Sequence, residues 1–336
     1  MNLSTLQARV LPAAEPRASW ATPALLVLAA ALPYLNVQIP VLFDGAFSSP
    51  GVLHLMSLMC VMAAVALTYD LLFGFTGLLS FGHGLYVAAG MYTTAVALAG
   101  QGFAAAIGWT LAVGLVLPLA LGAICLRVSG IAFAMATLAF AQAGAIFVVR
   151  DPFRVTGGEL GLALAYERLP EWLVGVVNAP YRYWMALGLL ALTAAAVRWA
   201  LASRPGRVWR AIRDNEGRVA VLGLRPYAFK LMAFTLSSFL ATLAGMVYAL
   251  VAGGAHAEVT DSTFTLGLLV MVVLGGSGRP YGALIGGLVY TYLSHRLGEL
   301  STVIGEPLLV LGTLFVVLVL FLPGGLASLT RKKGKA

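Results

Sequence analysis

Apolar runs follow one another along almost the whole chain, at 21–43, 53–73, 81–99, 103–126, 130–149, 183–201, 231–251, 264–275, 281–297 and 303–322. Most approach the roughly 20 residues that a helix needs to cross the hydrocarbon core of a bilayer. A backbone in lipid has no water to bond, so these runs are expected to be helical. Their unbroken apolar character excludes the period-two alternation of a membrane barrel. The fold class expected is an all-α polytopic membrane protein of about ten transmembrane helices. With 60% hydrophobic and 10% charged residues, the chain lacks the polar surface of a soluble domain and is too apolar for disorder.

Charge gives the orientation. Lys and Arg number 21 against 13 Asp and Glu, a net charge of +8, which a membrane protein concentrates on its cytoplasmic side. Arg9 and Arg17 flank the first run, Arg127 sits between the fourth and fifth, and Arg331, Lys332, Lys333 and Lys335 follow the last. The segment from Arg204 to Lys230 carries seven basic residues against Asp214 and Glu216. Ten spans with both termini inside place all of these, and Arg279, in the cytoplasm. The loops holding Asp44, Glu159 to Glu171, and Glu258 with Asp261 then lie outside. The expected organisation is a cytoplasmic segment 1–20, a transmembrane domain 21–322 with a cytoplasmic loop 203–229, and a basic cytoplasmic tail 323–336. Two readings stay open. The first run is a retained helix or the core of a signal peptide, and 264–275 is a short span or a re-entrant half-helix.

Two Gly-rich stretches interrupt the apolar pattern, 74–84 and 275–282. Broken helices at corresponding places in two halves of a transporter flank its pathway, whereas a tight turn between helices needs the same glycines. Thr76, Ser80 and His83 in the first stretch, with Thr137 and Gln142 in the fifth run, are polar groups in apolar surroundings. They form the candidate solute pathway, with interhelical hydrogen bonding as the alternative role.

The span centres contain no Asp, Glu, Lys or Arg; Asp70 and Arg198 lie near span ends, where snorkelling is expected. An ion-driven carrier keeps an intramembrane carboxylate, and a membrane enzyme needs an acid pair, an activated nucleophile or a metal cluster. Neither pattern is visible, and Cys60 and Cys125 stand alone in apolar runs. There is no G-x-x-x-x-G-K-[ST] phosphate loop. Uphill transport by this chain therefore needs energy from another subunit. A passive channel or ion-coupled carrier, and a membrane-embedded enzyme, are the competing classes.

From Arg207 the cytoplasmic loop reads as a short amphipathic helix. Val208, Ile212, Val219 and Leu222 form its apolar face and Arg207, Arg210, Arg213 and Asp214 its polar one. Gly217 weakens its middle and Gly223 ends it. Such a helix lies on anionic lipid or docks into a groove on a cytoplasmic partner.

The run Arg204-Pro-Gly-Arg-Val-Trp-Arg-Ala-Ile-Arg-Asp-Asn-Glu216 resembles the coupling loop of branched-chain amino acid ABC transporter permeases of the LivM type. Phe75-Thr-Gly-Leu-Leu-Ser-Phe-Gly-His-Gly84, the segment 129–142, Thr156-Gly-Gly158, Val272-Val-Leu-Gly-Gly-Ser-Gly278 and Phe321-Leu-Pro-Gly-Gly-Leu326 resemble family segments in the family's order. The likeness covers roughly 69–326; at the second break a Gly-Arg-Pro replaces the family's usual turn. The resemblance implies a bacterial inner-membrane importer subunit that pairs with a homologous second permease. It implies two ATPase subunits, which carry ATP and Mg, and an extracytoplasmic binding protein, with no cofactor on this chain and no nucleic-acid partner. It further implies that Arg207, Val208, Arg210, Ile212, Arg213, Glu216, Val219, Leu222 and Gly223 meet the ATPase, the apolar members seated in its groove. Branched-chain amino acids are the expected cargo; urea or short-chain amides are the alternatives within the family.

Overall fold

The computed structural model describes residues 28–34, 45–299 and a few positions between 312 and 327. Most of the first and last apolar runs, the 1–20 segment and nearly all of the basic tail lie outside the described residues. Among the described residues nine α-helices carry the fold: α1 (Pro50–Asp70), α2 (His83–Gln101), α3 (Phe103–Cys125), α4 (Ile131–Arg150), α5 (Ala179–Ala202), α6 (Arg204–Val221), α7 (Pro226–Ala252), α8 (Ser262–Gly275) and α9 (Pro280–Glu299). Each of the eight apolar runs between 53 and 297 becomes one helix, and the amphipathic stretch becomes α6. Among the described residues, five helical segments are long and apolar enough to cross a membrane: Pro50–Thr76, Phe103–Cys125, Ile131–Arg150, Ala179–Ala202 and Pro226–Ala252.

Two crossings set the core. α1, with Val61, Ala63, Ala64, Val65 and Leu67 buried, runs through the middle of the bundle. α2 packs on α7 through small residues that bring the backbones together. A Cβ placed on Gly245 would lie 2.9 Å from the carbonyl carbon of Val87, and one on Gly90 would lie 2.9 Å from that of Thr242. At the crossing of α2 and α3, Thr94 and Thr110 share a hydrogen bond of 3.0 Å. α3 and α4 are peripheral, with Trp109, Leu115, Val116, Ile131, Met135 and Ile146 exposed along their outer faces.

The bundle has two recognisable ends. At one end α6 lies across the turns that follow α1 and α8, and the Tyr227 hydroxyl at the start of α7 donates to the Ala123 carbonyl of α3 at 3.0 Å. At the other end a two-residue antiparallel pair joins β1 (Leu162–Ala163) to β2 (Gly254–Ala255). This short pair is a small departure from an all-α chain.

After α7 the chain turns back into the bundle. The short helix Ala257–Thr260 buries Val259 and Thr260, and the Gly84 amide of α2 donates to the Thr265 hydroxyl of α8 at 3.0 Å. α8 therefore starts inside the protein and ends at the α6 end. Its 14 residues rise about 21 Å, short of the roughly 30 Å hydrocarbon core. Together with the buried Ala257–Thr260 turn before it, α8 carries the chain from the β2 end to the α6 end where α9 begins, so of the two readings of 264–275 the short span is the one this geometry supports.

Asp151 opens the loop between α4 and α5. Its carboxylate accepts hydrogen bonds from the amides of Val155 at 2.7 Å, Thr156 at 2.9 Å and Gly157 at 3.0 Å. The bond from Thr156 first, with those from Val155 and Gly157, holds this carboxyl below its ordinary value. A group with a depressed folded pKa stabilises above its unfolded value and loses that contribution as pH falls through the folded value. Amide protection at 155–157 is thus expected to stay level down to about pH 5 and to collapse only below about pH 4. In Asp151→Ala it should be absent throughout. Protection that declines steadily between pH 7 and 5 in hydrogen exchange would contradict this.

Candidate functional site: the α6 lever and the glycine breaks

α6 is the one strongly polar helix among the described residues, and three apolar side chains hold it against the bundle. Trp209, Ile212 and Val219 are buried, and the Trp209 indole donates to the Phe229 carbonyl at 2.8 Å. Ser203 caps the start, accepting from the Gly206 amide at 3.4 Å. The helix thus begins at Arg204, one turn before the expected start. Its break falls at Asn215, where the backbone leaves helical geometry (φ −165°, ψ 103°), rather than at Gly217. The Asn215 side chain accepts from the Arg218 amide at 3.0 Å and so starts a second helical turn as an N-cap would. Lys230 of α7 pairs with Glu216 at the same place. Gly223, at φ 81°, ends the element as expected.

The inward and outward faces differ from the sequence expectation. Ile212 and Val219, expected in a partner's groove, are buried within this chain, and Val208 is half-buried. Outward stand Val221 and Leu222, 89% and 78% exposed, with Arg207, Asp214 and Arg218. The periodicity identified an apolar stripe; two buried residues of that stripe attach the lever to its own bundle.

Arg213 and Arg210 join α6 to the first glycine break. α1 continues as a wider turn over Leu71–Thr76, and Gly77 closes it at φ 78°. The Arg213 guanidinium donates to the Gly74 carbonyl, and the Arg210 guanidinium lies 5.8 Å from the Phe75 ring centroid. The second break meets the same point, because the Gly278 amide donates to Asp70 Oδ1 at 2.8 Å. Asp70 is 1% exposed. This corrects the expectation that it snorkels at a span end: it is a buried carboxylate between the two breaks, and Arg213 is the cation beside it. The sequence signal was available, since Asp70 is the one acid in the first half of the apolar pattern and lies one turn before Gly74. Its partner, 208 residues away, was not.

The five candidate pathway residues do not form one group. The Thr76 hydroxyl donates to the Leu71 carbonyl at 2.9 Å and stabilises the widened turn. Ser80 is buried and accepts from the Gly82 amide at 3.3 Å. His83 is fully buried, hydrogen-bonded to Thr68 at 2.9 Å and edge-on to the Tyr69 ring. Thr137 of α4 accepts from the Phe81 amide at 3.1 Å. Thr76 and Ser80 thus brace the first break internally, and His83 and Thr137 fasten it to α1 and α4. Gln142 stands apart on the exposed side of α4. Among the described residues no cluster of His, Cys, Asp or Glu is arranged to hold a metal ion.

A bundle of apolar helices, five of them long enough to cross a membrane, with a polar helix fastened across one end at the first glycine break, is the architecture of a multi-pass membrane protein. Residues 51–322 match the family described as the branched-chain amino acid transport system / permease component. The chain belongs to that family of ABC transporter permeases for branched-chain amino acids. It is 28% identical to the high-affinity branched-chain amino acid transport system permease protein LivM of Escherichia coli (strain K12), over 93% of this chain and 75% of that protein. It is 27% identical to the protein of the same name from Salmonella typhimurium, with the same coverage. A shorter stretch, 30% of this chain and 32% of the relative, is 33% identical to the ribose import permease protein RbsC of Escherichia coli (strain K12). No solved structure matches.

Proposed function

We propose that this chain is one membrane half of a bacterial inner-membrane importer for branched-chain amino acids, driven by two separate ATPase subunits that grip α6. The observation that carries the reading is the double attachment of α6. Its inner side is fixed to α7 through Trp209 and Lys230 and to the first glycine break through Arg213, while Val221 and Leu222 stand exposed on its outer side. A rigid element held inside and exposed outside passes a partner's movement to the bundle. In this reading the α6 end faces the cytoplasm, both termini lie inside, and the chain spans the membrane about ten times, in keeping with its basic loops. The ATPases bind ATP and Mg; a soluble binding protein delivers the amino acid at the opposite end. The cargo follows the printed function of the Escherichia coli and Salmonella relatives. Gln142, a lone amide on the apolar outer face of α4, meets a homologous second permease and the solute path between the two, because facing lipid it would have no partner.

The test is capture of the ATPase by the purified permease pair. Val221→Asp and Leu222→Asp are expected to lower ATPase retention about ten-fold each, since each places a charge in an apolar contact. A double variant that retains the ATPase and transports normally would remove α6 from the contact. Ile212→Asp tests the other face: it should detach α6 from the bundle and reduce the yield of folded permease.

A further inference from the structure

We propose that a groove at the α6 end of the bundle is a binding site for one anionic phospholipid of the leaflet that α6 borders. The groove has a volume of about 1120 Å³ and lies between α3, α5, α7 and the start of α6. Leu111 and Phe239 line its deep end, and Trp199, Arg204 and Tyr227 its mouth. From Tyr227 to Phe239 along α7 is about 18 Å, close to one leaflet of a roughly 30 Å core. Apart from the Thr235 hydroxyl, the lining is aliphatic and aromatic at depth and reaches a guanidinium at the rim, which is the polarity profile of an acyl chain with its headgroup.

Three features point to an anionic lipid as the occupant. Arg204 is exposed at the mouth, and among the described residues no carboxylate pairs with it. The Arg207 side chain folds back toward the same corner, its guanidinium 3.4 Å from the Ala202 carbonyl. The acids of α6 are elsewhere: Asp214 lies more than two turns along the helix, and Glu216 is held by Lys230. Trp199, 74% exposed, and Tyr227 are amphipathic rings of the kind that anchor at headgroup level. The bound lipid would bridge the root of α6 to α3 and α7, and so would stiffen the attachment of the lever.

The site rests on the orientation given above, which makes the bordering leaflet the cytoplasmic one, where anionic lipids concentrate. The assembled transporter, purified in mild detergent and stripped of lipid, is titrated with phosphatidylglycerol and with phosphatidylcholine of the same chains and read by native mass spectrometry. One phosphatidylglycerol is expected to bind, at least about five-fold tighter than phosphatidylcholine, the weight of one cation at an anionic surface. Arg204→Gln should erase the preference, and Leu115→Trp, which fills the groove, should weaken both lipids, while each variant elutes as the intact complex. Equal binding of the two lipids, or a preference that survives Arg204→Gln, would overturn the site. So would a photo-crosslinker at Leu115 that captures a polypeptide segment instead of lipid. Binding in detergent is read without transport or sidedness, so a failure of the orientation or of ATPase coupling leaves this result unaffected.

Discussion

Arg213→Ala is expected to separate ATP hydrolysis from solute uptake. The guanidinium is the polar link from α6 to the first break, at the Gly74 carbonyl, and it lies beside the buried Asp70 that ties the second break through Gly278. A hydrogen bond to a charged group contributes about 1.5–3 kcal/mol, so its loss should lower coupling by roughly ten-fold or more. Uptake per ATP hydrolysed, measured in proteoliposomes holding the whole transporter, should fall by that factor while ATPase capture and basal hydrolysis stay near wild type. Asp70→Ala should have the same signature and also lower stability, because it leaves the half-buried Gly278 amide without its acceptor. Asp70→Asn, which keeps an acceptor, should be milder. A parallel fall in hydrolysis and uptake in Arg213→Ala, or no change in either, would refute the link.

The largest loss of stability is expected at the crossing of α2 and α7. Gly245→Val puts a branched side chain where a Cβ alone would lie 3.1 Å from the Val87 Cα. The obstacle is backbone in the middle of a helix and cannot rotate away. Overpacking a core costs about 1–3 kcal/mol when side chains can adjust, and here the helices themselves must part, so the effect should reach the top of that range. Gly90→Val should match it from the facing helix, and the pair together should cost less than twice either alone, since the first insertion already separates the helices. Gly188 of α5, where an added Cβ meets no atom within 4 Å, is the control: Gly188→Ala should leave thermal stability and yield unchanged. Equal losses at Gly188 and Gly245 would show that the crossing is not close-packed.

Some of this was legible along the chain and some was not. The eight described apolar runs, their helical state and their approximate ends follow from length and from the cost of an unbonded backbone in lipid. The polar lever was legible too, because its charge and its 3.6-residue stripe are local. The direction of that stripe was not. Ile212 and Val219 look the same in sequence whether they serve a partner's groove or the chain's own bundle. The kink at Asn215 was missed because a side-chain cap outweighed the weaker helix propensity of Gly217. The pathway candidates were chosen for polarity, and polarity does not distinguish Thr76, Ser80, His83 and Thr137, which satisfy nearby backbone or side-chain groups, from Gln142, which points outward.

The sequence alone determined that the chain is a stack of apolar helices with one cationic cross-piece and no phosphate loop of its own, because hydropathy and charge act over a few neighbouring residues. Only the tertiary structure decided that α8 begins inside the bundle, that Asp70 is buried, and that Arg213, Gly74 and Gly278 meet at one point. Those outcomes depend on contacts between segments some 140 to 208 residues apart, and no local pattern encodes which distant backbone amide a buried carboxylate will find.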